Sequence, residues 1–280
     1  MQATVDQANA EFWNELCGST FAQSLGIRDH SPESLKRFDD AYFEFYPYLL
    51  PFVGPDRWSG KTVLEIGLGY GSLSQKLAEA GASYHGLDIA ENPVRMANAR
   101  LARLGKSPKA TVGTALAMPF AAGSFDAVVS IGCLHHTGDL PGSLTEVRRV
   151  LRPGGSAIIM VYNKYSFRQW SRRPFETFKR WRQEGSSNVQ SNERAEYDAN
   201  SAGASAPETV MTSASELRGM LGGMDVVRLD PQNCDPIGIR GRTIIPRTRL
   251  LSTIGRRWGL DLYCEAVKRS TSAIAALKAA

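Results

Sequence analysis

The stretch Val63 to Gly71, VLEIGLGYG, constrains this chain most: a short apolar run carrying one acid, Glu65, enters three alternating glycines, Gly67, Gly69 and Gly71. A β-branched and aliphatic run ending in Gly-x-Gly predicts a buried parallel strand that turns sharply into a helix, where missing side chains let a ligand lie against the backbone. SLSQKLAEAG supplies that helix, with Leu73 and Leu77 on one face and Gly81 as its stop. YHGLD then predicts a second strand ending at Asp88, where a carboxylate is placed to accept hydrogen bonds from ribose hydroxyls.

A dinucleotide site needs Gly-x-Gly-x-x-Gly so that a pyrophosphate can lie on the helix N-terminus. Here the third glycine comes one residue early, and Glu65 is a poor neighbour for a phosphate but a good one for an ammonium or sulfonium group. A cationic ligand bearing a ribose fits better. On these residues the sequence resembles the class I S-adenosylmethionine-dependent methyltransferases, whose first motif is acid-x-Gly-x-Gly-x-Gly and whose second strand ends in an acid. The resemblance implies S-adenosyl-L-methionine as cofactor, with Glu65 and the Gly67, Gly69 and Gly71 loop holding its methionine part and Asp88 its ribose. It also implies an α/β, Rossmann-like sheet of seven mostly parallel strands, helices on both faces and an antiparallel last strand.

Val112 to Asn163 strengthens that resemblance. The segment reads as loop, strand, loop, helix, turn and strand, with a fourth strand over Phe125 to Ile131 and a fifth over Ser156 to Tyr162. Leu144, Val147, Val150 and Leu151 form a helical apolar face, which Pro153, Gly154 and Gly155 end. LPF-like, SFD, HH and RVLRPGG elements in this succession are similar to the methyltransferase group that includes ubiquinone and menaquinone biosynthesis enzymes. By that resemblance Ile89, Thr114, Ala115, Met118 and Ile131 also neighbour the cofactor. One departure is Thr114, which stands where the family usually has an acid facing the adenine amino group, so Ala115 backbone and Met118 packing carry more of that contact.

At 280 residues and 42% hydrophobic, the chain can bury a full core in one domain plus insertions. The expected organisation is an N-terminal helical cap over 1–58, a cofactor-binding core over 59–163, a lid or inserted segment over 164–211, and completion of the sheet over 212–280. The sixth and seventh strands fall at Asp225 to Leu229 and Leu260 to Val267, interrupted by a basic insertion over 233–258. Ser213 and Glu216 are spaced as a capping box for a helix through Leu217, Met220 and Leu221. No transmembrane run and no signal-peptide pattern is present in the sequence, which predicts a cytoplasmic location. Cys17, Cys133, Cys234 and Cys264 are scattered, so neither a disulfide framework nor a metal site is expected; Cys133 packs in the core or lines the pocket.

Charge divides unevenly. Residues 1–146 hold 11 Lys and Arg against 16 Asp and Glu, net −5, whereas residues 147–280 hold 22 against 12, net +10. Such a bias attracts an anionic substrate, a membrane surface, a nucleic acid or an acidic partner, or forms an ordinary solvated surface. Tyr165 to Glu184 concentrates it: Phe167, Trp170, Phe175, Phe178 and Trp181 share an arc of roughly 140°, with Arg172, Arg173, Lys179 and Arg180 elsewhere around the wheel. The expectation is a stripe packed on the core or a substrate lid, ahead of peripheral membrane contact. Pro174 predicts a division into two short helices. Gly185 to Pro207 lacks apolar periodicity and reads as a flexible loop or an ordered lid.

N-terminal helices are predicted over Ala10 to Gly18 and Pro32 to Leu50. The resemblance implies that they fold over the cofactor, which makes Tyr42, Phe43, Tyr46 and Tyr48 pocket candidates, with core packing as the alternative. Tyr162, Asn163 and Tyr165 at the end of the fifth strand are further substrate candidates. A methyl group on a sulfonium is already activated, so the protein must mainly align the attacking atom and exclude water. An oxygen or carbon nucleophile must also lose a proton, and His135 or His136 is the candidate base, the alternative being a loop-shaping role. The predicted function is methyl transfer to a small aromatic or lipophilic acceptor. Methylation of a nucleic acid or protein is the second reading, weakened by the lack of an Asn-Pro-Pro-aromatic signature or an RNA-binding module. Cofactor binding without turnover is the third. A homo-oligomer is compatible with all three.

Overall fold

The computed structural model describes residues 2–15, 20–27, 29–183, 187–188, 191–239 and 242–270. Cys17 and the end of the helix predicted to reach Gly18 lie outside them, as do parts of the loop predicted over Gly185 to Pro207. Seven strands form one sheet: β1 Thr62–Ile66, β2 Ser83–Asp88, β3 Ala110–Val112, β4 Phe125–Ile131, β5 Leu151–Tyr162, β6 Met224–Gln232 and β7 Asp261–Lys268. Their spatial order is β3-β2-β1-β4-β5-β7-β6. β7 runs antiparallel to both β5 and β6, and the other pairs are parallel.

Helices α1 Gln2–Asn14 and α2 Pro32–Phe45 precede the sheet, while α3 Ser72–Glu79, α4 Glu91–Arg103 and α5 Leu140–Val150 connect its parallel strands. Beyond β5 come α6 Phe167–Arg172, α7 Pro174–Trp181 and α8 Ala214–Met220. Both faces of the sheet are covered, so its strands are apolar on both sides. Leu64, Val128, Ile159 and Val161 pack on one face with Leu144, Val147 and Leu217. Val63, Val129, Ile158 and Met160 pack on the other with Leu77, Leu101 and the Leu49, Phe52 and Val53 cluster. The Ser213–Glu216 capping box starts α8 as its spacing predicts: Ser213 Oγ accepts from the Glu216 amide and the Glu216 carboxylate from the Ser213 amide.

Three local expectations are corrected. The helix predicted through Leu50 ends at Phe45 and a separate turn runs over Leu49–Val53, because Pro47 pushes Tyr46 out of the helical region to φ −113°, ψ 65°. Leu151 and the Pro153-Gly154-Gly155 turn belong to the start of β5, not to the helix; pairing jumps from Phe125 with Leu151 to Ala127 with Ser156 to accommodate them. The aromatic stripe after β5 is not packed on the core: Trp170, Phe175, Phe178 and Trp181 are exposed. The inward face of α7 is polar instead, with Thr177 Oγ1 donating to the Gln169 carbonyl at 3.0 Å and Arg180 paired with Glu193 at 2.7 Å.

A buried ion pair ties the N-terminal segment to this frame. Arg100 of α4 meets the Asp39 carboxylate of α2 through both guanidinium nitrogens, at 2.7 and 2.9 Å, and Ser72 at the start of α3 also donates to Asp39.

Candidate active site

In an open parallel sheet, ligands bind outside the carboxyl ends of the strands where the order reverses. That point lies between β1 and β4, and a cavity of about 320 Å³ opens there. Its floor is built from strand ends: Ile66 and Gly67 after β1, Asp88 and Ile89 after β2, Thr114 and Ala115 beyond β3, and Ile131 and Cys133 after β4. Met160 and Tyr162 of β5 and Tyr263 of β7 continue the wall, and α1 and α2 close it with Asp6, Asn9, Trp13, Tyr42 and Tyr46.

The glycines serve different ends. At Gly67 a Cβ would lie 2.4 Å from Cys133 Cβ, so its missing side chain lets the β1 and β4 ends approach. At Gly69, with φ +55°, a Cβ would meet nothing within 4 Å, leaving bare backbone facing the cavity. Gly71 is not on the cavity; it caps α3 against Arg100 and Ala97.

Of the two carboxylates, only Asp88 lines the cavity. Its Oδ2 accepts from the Leu68 amide at 2.7 Å and its Oδ1 from the Ala90 amide at 2.9 Å. The Ile89 amide also acts on this carboxylate, and its remaining acceptor capacity faces the cavity for a ligand hydroxyl. Glu65 sits behind the turn. Side chains alternate along a strand, and position 65 faces α3 with Val63, where Glu65 Oε2 accepts from Ser74 Oγ at 2.6 Å and Tyr84 Oη at 2.7 Å. Burial raises both acids, Glu65 to about 7 and Asp88 to about 6.

Those shifts carry a sign. A carboxyl whose value is higher folded than unfolded contributes stability at acid pH that is lost as pH rises through the folded value, here about 6 to 7. Glu65→Gln keeps an acceptor oxygen for Ser74 and Tyr84 and has no proton to lose. Its melting temperature should therefore fall less than the parent's between about pH 5 and about pH 8 in scanning calorimetry. Parallel curves for the two proteins would contradict the assignment.

His136 and His135 part company. His136 lines the cavity; its Nδ1 donates to the Glu208 carbonyl at 2.7 Å, leaving Nε2 as the free position, 3.5 Å from Asp198 Oδ2. Asp198 also lines the cavity, accepts from Tyr162 Oη at 2.9 Å, and is raised above the ordinary range by burial. The loop that carries His136 is clamped by α1, where Asn9 Nδ2 donates to the His136 carbonyl at 2.8 Å and Trp13 packs on its ring. His135 is fully buried behind it, its ring between His136 and Tyr162, with neither nitrogen hydrogen-bonded and its basicity pushed well down by burial.

A second cavity of about 340 Å³ shares Tyr46, Met160 and Tyr162 with the first. Phe45, Tyr197 and a polar relay line it: Arg247 Nη2 donates to Asn233 Oδ1 at 2.8 Å, and Asn233 Nδ2 donates to Asp261 Oδ2 at 3.0 Å. The insertion over 233–258 thus reaches back to the sheet.

Among the sequence candidates, Gly67, Gly69, Asp88, Ile89, Thr114, Ala115, Ile131, Tyr42, Tyr46, Tyr162 and His136 meet at the first cavity. Glu65, Gly71, Met118, His135, Asn163 and Tyr165 do not. Met118 is core, and Asn163 fixes the turn after β5 by donating to Gly259 and accepting from the Tyr165 amide. Asp6, Asn9, Trp13 and Asp198 are lining residues that the sequence reading missed.

Comparison with known proteins decides what this frame is. Residues 64–159 match the methyltransferase domain family, the span from β1 into β5 that holds the bare turn and Asp88. Residues 64–159 are a methyltransferase domain. Over 143 residues, half of this chain, it is 35% identical to phosphoethanolamine N-methyltransferase 2 of Caenorhabditis elegans, of which that stretch covers 29%. Over 109 residues, 38% of this chain, it is 35% identical to the ubiquinone biosynthesis O-methyltransferase of Aromatoleum aromaticum, covering 46% of it. The chain thus spans less than half the length of these curated relatives. The fold is shared with a S-adenosylmethionine-dependent methyltransferase from Methanosarcina mazei, at TM-score 0.52 and 22% identity over 80% of this chain and 98% of that one. The cofactor of a class I methyltransferase domain is S-adenosyl-L-methionine, and the residues present fit it: a bare turn open to the cavity beside a buried carboxylate with free lone pairs.

Proposed function

We propose that this protein transfers a methyl group from S-adenosyl-L-methionine to a small-molecule acceptor, aromatic or lipophilic, by in-line displacement. The observation that carries the reading is one cavity walled on one side by the Gly69 turn and Asp88 and on the other by Trp13, Tyr42, Tyr46, Tyr162 and the His136–Asp198 pair. Asp88 and the backbone at Gly67 and Gly69 hold the nucleoside and methionine parts. When bound, the cofactor supplies a methyl group on positively charged sulfur, already activated for displacement.

The chain's own residues align the acceptor and remove its proton. Tyr42, Tyr46 and Tyr162 form the aromatic wall, and acceptor atoms remote from the reaction extend past Tyr46 and Tyr162 into the second cavity. His136 Nε2 takes the acceptor's proton, and Asp198 Oδ2, steadied by Tyr162 Oη, stabilises the imidazolium. By their names, two of the relatives are a phosphoethanolamine N-methyltransferase and an O-methyltransferase of ubiquinone biosynthesis, which supports a small acceptor. Several arginines of the second half are held by acids of the same half, among them Arg168–Asp235, Arg173–Glu196 and Arg180–Glu193, which leaves fewer guanidinium groups free for a nucleic-acid backbone while the net charge of that half stays positive. The reading includes a cytoplasmic placement, in keeping with free thiols at Cys133, Cys234 and Cys264.

Incubation with a panel of phenols, quinols and amines, followed by mass spectrometry, tests it: a methylated product should appear together with S-adenosylhomocysteine. With an oxygen acceptor, His136→Ala should lower kcat by about a hundredfold and leave the cofactor's Kd unchanged. A full rate in that variant removes the base role from His136.

A further inference from the structure

Helix α7 is amphipathic the wrong way round. Phe175, Phe178 and Trp181 are 76%, 46% and 60% exposed, and Trp170 on the adjoining α6 is 36% exposed. At 100° per residue the three α7 rings span roughly 120°, and the rings of Phe178 and Trp181 lie 5.8 Å apart. The face turned to the protein holds Thr177, buried, and Arg180 in its pair with Glu193. A helix that buries its polar side and shows its rings to water leaves a large apolar area without a partner, and such patches mark interaction sites.

Charge narrows the occupant. Lys179 and Arg182 are exposed beside the rings, and neither takes part in an ion pair among the described residues, whereas the one exposed carboxylate of the helix is Glu176. Aromatic rings flanked by lysine and arginine are the chemistry of a helix lying in the headgroup region of an anionic bilayer, where rings enter the acyl boundary and cations meet phosphate. No described helix is long and apolar enough to cross a membrane, so such contact is peripheral. The adjoining α6 lines the second cavity through Arg168.

We infer that the exposed face of α6 and α7 docks this protein onto an anionic lipid surface, seating Phe175, Phe178 and Trp181 in the headgroup layer with Lys179 and Arg182 against lipid phosphates. Docking there holds the second cavity near the bilayer, where a lipophilic molecule resides. The contact depends on no particular methyl acceptor and stands or falls apart from turnover.

The test is co-sedimentation of the full chain with vesicles of phosphatidylcholine, with or without phosphatidylglycerol. Binding to the anionic vesicles should be at least about tenfold stronger than to neutral ones. It should fall about tenfold or more both in Phe175→Ser/Phe178→Ser/Trp181→Ser and in Lys179→Glu/Arg182→Glu. All these side chains are exposed, so circular dichroism and melting should match the parent; if the triple variant does not fold, Phe175→Ser alone carries the comparison. Failure of the parent to bind anionic vesicles, or equal binding by parent and variants, overturns the inference. So does a parent dimer in light scattering that the serine variant abolishes without vesicle binding, which would assign the face to a second copy.

Discussion

Asp88→Asn is expected to weaken S-adenosyl-L-methionine binding by about ten- to a hundredfold, the worth of one or two hydrogen bonds to a charged group. The carboxylate does two jobs at once. Its oxygens accept from the Leu68 and Ala90 amides, fixing the glycine turn and the entry to α4, and the remaining lone pairs face the cavity. An amide places an NH2 against one of those backbone N–H groups, so the turn shifts and one ligand acceptor is lost. Glu65→Gln, one strand away and behind the turn, should change affinity far less. Titration calorimetry on both variants checks the contrast, and equal losses would mean that Glu65 reaches the ligand after all.

The largest stability effect should come from Asp39→Asn, at about 3–5 kcal/mol. Arg100 is almost wholly buried, and Asp39 is the carboxylate that neutralises it. Without that partner a charge stays in the interior uncompensated, whereas Arg100→Met combined with Asp39→Asn removes both charges and should recover much of the loss. Urea denaturation measures each step, and a loss below about 1 kcal/mol would contradict the account. The pair also matters to the site: Asp39 and Tyr42 belong to the same helix, so loosening α2 releases part of the aromatic wall.

The sheet and the glycine turn were legible because they rest on local patterns. Apolar runs ending in glycine or an acid mark strand ends, and β4 runs from Phe125 to Ile131 as its pattern predicts. The Ser213–Glu216 box depends only on residues three apart. Side-chain direction was harder. Glu65 and Asp88 are both acids near strand ends, and only the pleat and the helix behind it decide that one faces a serine and a tyrosine while the other faces the cavity. Asp198 was not legible at all: it lies in a stretch of Ser, Asn, Ala and Gly without periodicity, and long-range folding alone brings it to His136. The stripe of α7 shows that an amphipathic period gives the arc but not which way it points. The half-buried Arg180 and the buried Glu193 settle that, and they are partners across 13 residues.

Calorimetric titration of the purified protein with S-adenosyl-L-methionine, S-adenosylhomocysteine and NADH tests the central claim most directly. Heat of association with the first two and none with NADH is the result expected from a bare turn beside the Asp88 carboxylate. Binding of NADH, or no heat with either sulfur nucleoside, would contradict it.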